Sequence, residues 1–141
     1  MKYTKQILLM AVAMLPVLAS AQLSSRQTIV ANVPFEFVVG TKPMPAGEWT
    51  VRLASMSATV LEMQNQSSAA GMFSRATLVE SKKPAGQCTL VFRRYGNIYF
   101  LSEVQFAGTR LGYRLPQSKA EAEIRAQNVT GDDETLVASL Q

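Results

Sequence analysis

Alternation of apolar side chains with a period of two is the feature of this chain that most restricts its fold. In TIVANVPFEFVV, residues 28–39, every second residue is apolar, and this alternating set is Ile29, Ala31, Val33, Phe35, Phe37 and Val39. A period of two places these side chains on one face of a β-strand, where they can be buried together. Pro34 cannot donate a ladder hydrogen bond, so we expect either an edge strand or two strands joined by a kink.

Further strands follow at short intervals. Residues 44–47, Met-Pro-Ala-Gly, suit a type I turn because proline stands second and glycine fourth. Trp49, Val51 and Leu53 then alternate with polar residues and are expected to face the same core. A weaker strand signal occurs in ATVLEMQN, and MFSRATLVE is a candidate strand with mixed faces. TLVASLQ is expected to be the last strand.

The segment CTLVFRRYGNIYFLSEVQF, residues 88–106, predicts a β-hairpin, and its loop length decides which residues face each other. A two-residue loop at residues 96–97 would leave Glu103 among apolar neighbours. Burying an unpaired carboxylate costs several kcal/mol, more than the ~0.2–1 kcal/mol that a cross-strand pair contributes. We therefore predict a three-residue loop at residues 95–97.

The predicted register gives the only candidate ligand-binding residues in the chain. It pairs Phe92 with Phe100 and sets Arg93 beside Tyr99 on the outer face. An arginine among aromatic residues can form a stacking surface for a single-stranded nucleic acid or a sugar. An ordinary exposed sheet face is the interpretation we favour. If a ligand surface exists, Arg93 with Tyr99 is the expected site.

Near the C-terminus the signal changes from strand to helix. Ser118 and Glu121 have the spacing of a capping box, and alanines favour a helix from about residue 119 to about residue 127. Ala120 and Ile124 form a narrow apolar stripe, which we expect to dock on an end of the sheet. The chain is therefore predicted to be all-β, an antiparallel β-sandwich or small β-barrel of about seven or eight strands with one short C-terminal helix.

The N-terminus has the layout of a secretory signal peptide. Lys2 and Lys5 precede an apolar run over residues 7–18, and Ala-Ser-Ala ends at Ala21. The run is shorter than the ~20 residues that a membrane-spanning helix needs. We expect cleavage of the first 21 residues, a single secreted β-rich domain at residues 22–141, a periplasmic or secreted location and no transmembrane anchor after processing.

Composition excludes several chemistries. The chain has no histidine, which removes the usual Ser-His-Asp and Cys-His catalysis and nearly all zinc sites. Loss of two lysines with the leader lowers the formal net charge from +4 to +2, a weak basis for binding nucleic acid. We expect no catalytic residue, no cofactor and no metal. The carboxylates that a hydrolase could use are scattered, mostly on outer faces: Glu36, Glu48, Glu62, Glu80, Glu103 and Glu121.

Cys88 is the single cysteine of the chain, so no internal disulfide can form. Its neighbours alternate in the manner of a half-buried strand. We favour burial over an exposed thiol that pairs between chains, because unpaired cysteine is among the most buried residue types.

Three segments together resemble a group of small secreted β-rich proteins common in acidobacterial genomes. The segments are VPFEFVVGTKPMPAGEWTVR, LVFRRYGNIYFLSEVQF and RLPQSKAEAEI, and the likeness covers most of residues 30–125. Met44 stands where these proteins usually have leucine, and Trp49 where they usually have tyrosine. The resemblance implies a secreted β-rich domain and carries no activity, cofactor or catalytic residue.

The leading functional hypothesis is an exported, non-enzymatic β-domain with a binding or envelope-structural role, and the partner is open. Two alternatives remain. Many inward apolar residues would suit a carrier that holds an apolar small molecule inside the sheet system. A carboxylate-dependent hydrolase, with Glu103 as the residue to test, is the other.

Overall fold

The computed structural model describes residues 27–54, 59–127 and 130–140, with residues 135–140 described by their backbone alone. The predicted leader lies outside these ranges. Within them the chain forms eleven strands and one helix: β1 (Thr28–Val33), β2 (Phe37–Val39), β3 (Lys42–Met44), β4 (Gly47–Leu53), β5 (Val60–Asn65), β6 (Gly71–Arg75), β7 (Thr77–Glu80), β8 (Cys88–Tyr95), β9 (Ile98–Gln105), β10 (Leu111–Arg114), α1 (Lys119–Ala126) and β11 (Asp132–Leu140).

The strands form two sheets that remain continuous through the pairing of β1 with β11. One sheet has the order β1-β4-β5-β6. The other has the order β3-β2-β9-β8-β11, with β10 beside the second half of β9 and β7 beside β10. All pairs are antiparallel except β2 with β9. Within the described residues the sheets do not close into a barrel, and the fold is all-β and sandwich-like.

The predicted all-β class and the short helix are confirmed, whereas the predicted number of strands, seven or eight, is lower than the eleven of the described residues. The additional strands are short, since β2 and β3 have three residues each and β7 and β10 have four. A segment of three or four residues shows too little alternation to be recognised as a strand from its sequence. Pro34 lies between β1 and β2, so the interpretation of two strands joined by a kink is the right one.

One apolar core fills the space between the sheets. The inward residues predicted for β1, β2 and β4 are buried or half-buried. The largest fully buried side chains are Trp49, Phe92, Phe106, Ile29, Met44, Leu61, Met63 and Leu90. Trp49 also has its indole N–H satisfied, because Nε1 donates to the carbonyl oxygen of Pro45 in the predicted turn at 3.1 Å.

The hairpin of β8 and β9 differs from its prediction, because it turns through a two-residue loop that begins at Gly96. Arg94 pairs with Tyr99, and Arg93 pairs with Phe100. Gly96 has a φ of 61°, a left-handed conformation that glycine adopts without a Cβ clash. The predicted three-residue loop is therefore wrong, and every pair near the loop moves by one residue.

A β-bulge moves Glu103 to the outer face, which the longer loop was expected to do. The pair of Phe92 with Leu101 is followed by the pair of Val91 with Glu103, so Ser102 is the extra residue of β9. After Ser102, the inward and outward residues of β9 alternate in the opposite order from those before it. The expectation that the Glu103 carboxylate stays out of the core was right, but the bulge, and not the loop length, places it there.

The helix begins as predicted and docks in a different way. The Ser118 hydroxyl accepts a hydrogen bond from the backbone N–H of Glu121 at 3.1 Å, which confirms the N-cap. Ala120 is exposed and Ile124 is only half-buried, so the expected apolar stripe does not dock the helix. Glu121 is the buried residue of α1, with 4% of its surface exposed.

Cys88 is buried, as predicted, with 2% of its surface exposed. Its sulfur accepts a contact from the backbone N–H of Ala107 at 3.2 Å. We expect the thiol of the folded protein not to react with Ellman's reagent over minutes, because the reagent cannot reach a buried sulfur. One equivalent of thiol per chain should react in guanidinium chloride. Reaction of the native protein on mixing would contradict the burial.

Candidate functional site

The two predicted ligand residues, Arg93 and Tyr99, lie on opposite faces of the sheet. Arg93 is opposite Phe100, and Arg94 is the residue that pairs with Tyr99. Neighbouring residues of a strand point to opposite faces, so the side chains of Arg93 and Tyr99 cannot meet. Their predicted juxtaposition is wrong because it depended on the three-residue loop.

Tyr99 is already stacked within the protein. Its ring lies 3.8 Å from that of Phe35 at an interplanar angle of 14°, and the guanidinium carbon of Arg94 lies 5.8 Å from its centroid. The ring borders a cleft of about 150 Å³ between the β8–β9 loop and the β2–β3 hairpin. A ligand that stacked on Tyr99 would have to compete with Phe35 or Arg94.

Arg93 belongs to a buried polar group on the other face, which we call the Glu121 cluster: Arg93, Tyr95 and Glu121. The Tyr95 hydroxyl donates to Glu121 Oε1 at 3.0 Å, and Arg93 Nη1 donates to the same oxygen at 3.2 Å. Arg93 Nε also lies 3.5 Å from Asp133 Oδ1 at the start of β11. The cluster thus connects β8, α1 and β11.

Burial and charge set the protonation states of Tyr95 and Arg93. Burial raises the pKa of the Tyr95 phenol, and the hydrogen bond to Glu121 raises it further. Burial opposes the charge of Arg93, but the nearby carboxylates of Glu121 and Asp133 outweigh it and raise the pKa of the guanidinium. Tyr95 is therefore a neutral donor and Arg93 a cation at neutral pH, which is the arrangement that holds a carboxylate in place.

A close approach of the backbone seals one side of the cluster. A Cβ atom on Gly131 would lie 2.6 Å from Cε1 of Tyr95, too close for any residue but glycine. The chain leading into β11 therefore passes directly over the ring of Tyr95. This contact explains how a tyrosine on the outer face of β8 is only 3% exposed.

A polar cleft of about 300 Å³ lies beside the helix, and Arg93, Arg114 and Glu121 contribute to its walls. Arg114 Nη2 donates to Glu103 Oε2 at 3.2 Å, as Arg93 does to Glu121. Both arginines of the cleft are thus paired with carboxylates, which lowers their capacity to bind an external anion. We interpret this cleft as the margin of a structural anchor for α1.

Glu103, the residue named for a hydrolase, has both carboxylate oxygens engaged. Oε1 accepts from Gln105 Nε2 at 2.8 Å, and Oε2 accepts from Arg114. Glycoside hydrolysis needs a second carboxyl group across the scissile bond, and the contacts of Glu103 are an amide and a guanidinium. Its surroundings are those of an ordinary cross-strand ion pair.

Alkaline pH should destabilise the fold through two tyrosines. Burial raises the pKa of both Tyr95 and Tyr113 above the ordinary value of 10.0, so an unfolded chain releases phenolic protons that the folded chain retains. The stabilisation is fully present below about pH 10 and is lost as the pH rises through the folded-state values. We expect the free energy of unfolding in urea to fall above about pH 10, and to fall less steeply in a Tyr95→Phe, Tyr113→Phe double variant. An equally steep fall in the wild type and the double variant would contradict the assignment of this pH dependence to Tyr95 and Tyr113.

The second candidate surface is the free side of β6, which pairs only with β5 among the described strands. The backbone N–H of Asn65 donates to the carbonyl oxygen of Ala70 at 2.9 Å, and the backbone N–H of Ala76 donates to the carbonyl oxygen of Thr59 at 2.8 Å. Hydrogen-bonded positions of an antiparallel ladder recur every second residue, so residues 70, 72, 74 and 76 bond toward β5. The backbone groups of Gly71, Phe73 and Arg75 therefore point away from the sheet, and we call these three residues the β6 edge.

The side chains of Phe73 and Arg75 in the β6 edge are exposed. Phe73 is 66% exposed, the largest fraction among the large apolar residues of the described chain. Lys42 Nζ of β3 donates to the carbonyl oxygen of Gly71 at 3.0 Å and so covers one end of the edge. Arg75 is exposed and has no ion pair among the described residues.

A groove of about 550 Å³ with mainly apolar walls lies where β6 passes into β7. Ala76, Leu78 and Pro116 supply apolar surface, and Leu78 is 43% exposed. The chain changes sheets at Ala76, since β6 pairs with β5 and β7 pairs with β10. The β6 edge and the groove are therefore adjacent.

Sequence reasoning did not identify either the β6 edge or the role of Glu121. MFSRATLVE was expected to be one strand of mixed faces, but it forms two strands in different sheets. The adjacent apolar residues Met72 and Phe73 were a usable signal, because neighbours on a strand cannot both face the core. Glu121 carried no such signal, since a glutamate three residues after a cap is ordinary in an exposed first turn.

Comparisons with known proteins add no functional information. No family model, curated protein or solved structure matches the chain. The likeness to small secreted acidobacterial proteins stays a prediction. None of the helical segments that the structure describes is long and apolar enough to span a membrane. Those described residues also bring together no group of three or more metal-binding side chains.

Proposed function

We propose that the protein is an exported, non-enzymatic β-domain that binds another polypeptide along the β6 edge. The observation that carries the proposal is the combination of outward backbone groups at Gly71, Phe73 and Arg75 with the exposed ring of Phe73. An unpaired edge is a template for an added strand, and proteins that do not use such an edge usually protect it. Within the part of the chain that the structure describes, Lys42 covers one carbonyl of the edge and no strand pairs with the rest.

The chemistry of the chain supports a binding role over catalysis. Histidine is missing from the sequence. The carboxylates of Glu103 and Glu121 are held by arginines, so neither resembles the unpaired carboxylic acid that general acid catalysis uses. The signal-peptide layout of the first 21 residues supports export.

Selection from a library of random decapeptides tests the proposal. The wild-type protein should enrich peptides rich in β-branched and aromatic residues, which favour an extended strand. Phe73→Lys should weaken binding of an enriched peptide at least about tenfold, because it removes the aromatic contact and adds a charge. Ile98→Lys is the matched control, since Ile98 is 45% exposed at the β8–β9 loop. Failure to enrich any peptide, or equal loss in both variants, would refute the proposal.

A carrier of an apolar small molecule is a second candidate, and the groove at Ala76 favours it. Its volume of about 550 Å³ falls within the ~300–1,000 Å³ that ligand pockets usually have. Native mass spectrometry of gently purified protein should then show a bound lipid, and Leu78→Asp should abolish it. A chain mass without any adduct would exclude this candidate.

A further inference from the structure

We infer that the partner of the β6 edge is a second copy of this chain, paired antiparallel about a two-fold axis at Phe73. The inference rests on the proposed function, because it requires that the β6 edge bind a strand. It goes further by naming the occupant and the register.

The spacing of the outward residues is symmetric about Phe73. With Phe73 of each copy facing the other, Gly71 of one copy faces Arg75 of its partner. All three outward residues of each copy then form hydrogen-bonded pairs. An axis at Met72 or Ser74 would pair only two of the three. The register centred on Phe73 is therefore the one that satisfies the whole edge.

The same register brings the exposed Phe73 rings of the two copies together. Paired residues of an antiparallel ladder point to the same face, and their Cα atoms lie about 5.5 Å apart when they are hydrogen-bonded. The two Phe73 rings would therefore be neighbours on the outer face, at a separation suited to an offset or edge-to-face contact. Each ring is 66% exposed in the single chain, so pairing removes apolar surface from water on both copies.

Charge weakens this pairing at its two ends, because Arg75 of one copy arrives beside the ammonium of Lys42, which lies 3.0 Å from the Gly71 carbonyl oxygen of the other copy. Arg75, for which the described residues supply no ion pair, faces Gly71 of the other copy, whose missing side chain leaves room for the guanidinium. Gln64 is the β5 neighbour of Gly71, and its exposed amide oxygen can accept from that guanidinium. The two Arg75 residues lie four residues apart along the ladder, about 13 Å, which exceeds the Debye length of about 8 Å at physiological ionic strength.

Lys42 leaves the pairing possible. It occupies one lone pair of the Gly71 carbonyl oxygen, and the second lone pair remains for the Arg75 N–H of the other copy. Five residues per copy cover less area than the ~1,200–2,000 Å² of a standard interface, so we expect a weak dimer with a Kd on the order of 10 μM.

Sedimentation equilibrium between about 1 and 300 μM protein tests the dimer, a range that brackets the expected Kd. The wild type and Ile98→Lys should pass from monomer to dimer. Phe73→Lys should remain monomeric, with association weakened at least about tenfold, because two lysines would meet at the axis. A monomeric wild type at the highest concentration, or a dimer that Phe73→Lys does not weaken, would overturn the inference.

Cysteine crosslinking tests the register. Disulfides need Cα atoms about 4.4–6.8 Å apart. Phe73→Cys should therefore link to itself under mild oxidation at high protein concentration. Gly71→Cys and Arg75→Cys should each fail to link alone and should link when mixed. The buried native Cys88 does not compete. Linking of Gly71→Cys or Arg75→Cys to itself would overturn the proposed axis.

The two proposals can fail separately. If decapeptides bind at the β6 edge while the wild type stays monomeric, the edge binds a different polypeptide and only the second-copy inference falls. If neither peptides nor a second copy bind, the proposed function falls as well.

Discussion

Replacement of Phe92 by alanine is expected to lower the free energy of unfolding by about 3–5 kcal/mol, as burial of a large aromatic ring in a packed core predicts. Phe92 has no exposed surface, and its ring makes edge-to-face contacts with Phe35 at 5.2 Å and Phe37 at 5.3 Å. Removal of the ring would leave a cavity at the point where β2 and the segment before it meet β8. The neighbouring strands are fixed by their ladders and can only partly fill that space.

Phe73→Ala is the matched control for this substitution, because the same side chain is removed from an exposed position. It should change the free energy of unfolding by no more than about 0.5 kcal/mol when measured in urea below the concentration of dimer formation. A loss from Phe92→Ala as small as that from Phe73→Ala would show that the core between the sheets is not packed as described.

Replacement of Glu121 by alanine is expected to cost about 2–4 kcal/mol, the scale for removing one partner of a buried, charged hydrogen-bond group. The Tyr95 hydroxyl would lose its acceptor under the cover of Gly131. Arg93 would lose its buried partner, although water can reach part of that side chain, which is 33% exposed, and Asp133 remains nearby. The helix should detach first, because Glu121 is the side chain through which α1 is buried.

Glu123→Ala on the same helix is the control, because Glu123 is exposed and its substitution removes the same charge as Glu121→Ala. Its effect should stay within about 0.5 kcal/mol. A double-mutant cycle with Tyr95→Phe should show coupling of about 1 kcal/mol or more between Tyr95 and Glu121. In the Glu121→Ala protein, hydrogen exchange should show that the backbone amides of α1 lose their protection. Equal stability of the Glu121→Ala and Glu123→Ala proteins would contradict the anchor.

Local features of the chain could be predicted because neighbouring residues alone produce them. The alternation in β1, β2 and β4 identified the inward side chains, since the geometry of a strand fixes which face each residue occupies. Ser118 was recognised as an N-cap because the bond that it forms reaches only to Glu121. Burial of Cys88 followed from the same alternation in β8.

The candidate surfaces could not be predicted, because each depends on partners distant in the chain. The bulge at Ser102 turns the carboxylate of Glu103 outward, where Arg114 on the distant strand β10 binds it. The two-residue loop set Arg93 opposite Phe100 and so separated Arg93 from Tyr99. Glu121 is buried because Tyr95 and Arg93 of β8 meet it.

The sequence by itself determined which side chains of the alternating strands face the core, where the helix starts, and which catalytic chemistries have no residues to perform them. Only the tertiary structure decided which strand is left with an open edge and which carboxylate is enclosed. Alternation and capping act over two to four residues, whereas the openness of an edge depends on how all the other strands have paired. That is why the exposed ring of Phe73 and the buried carboxylate of Glu121 emerge together with the sheet order.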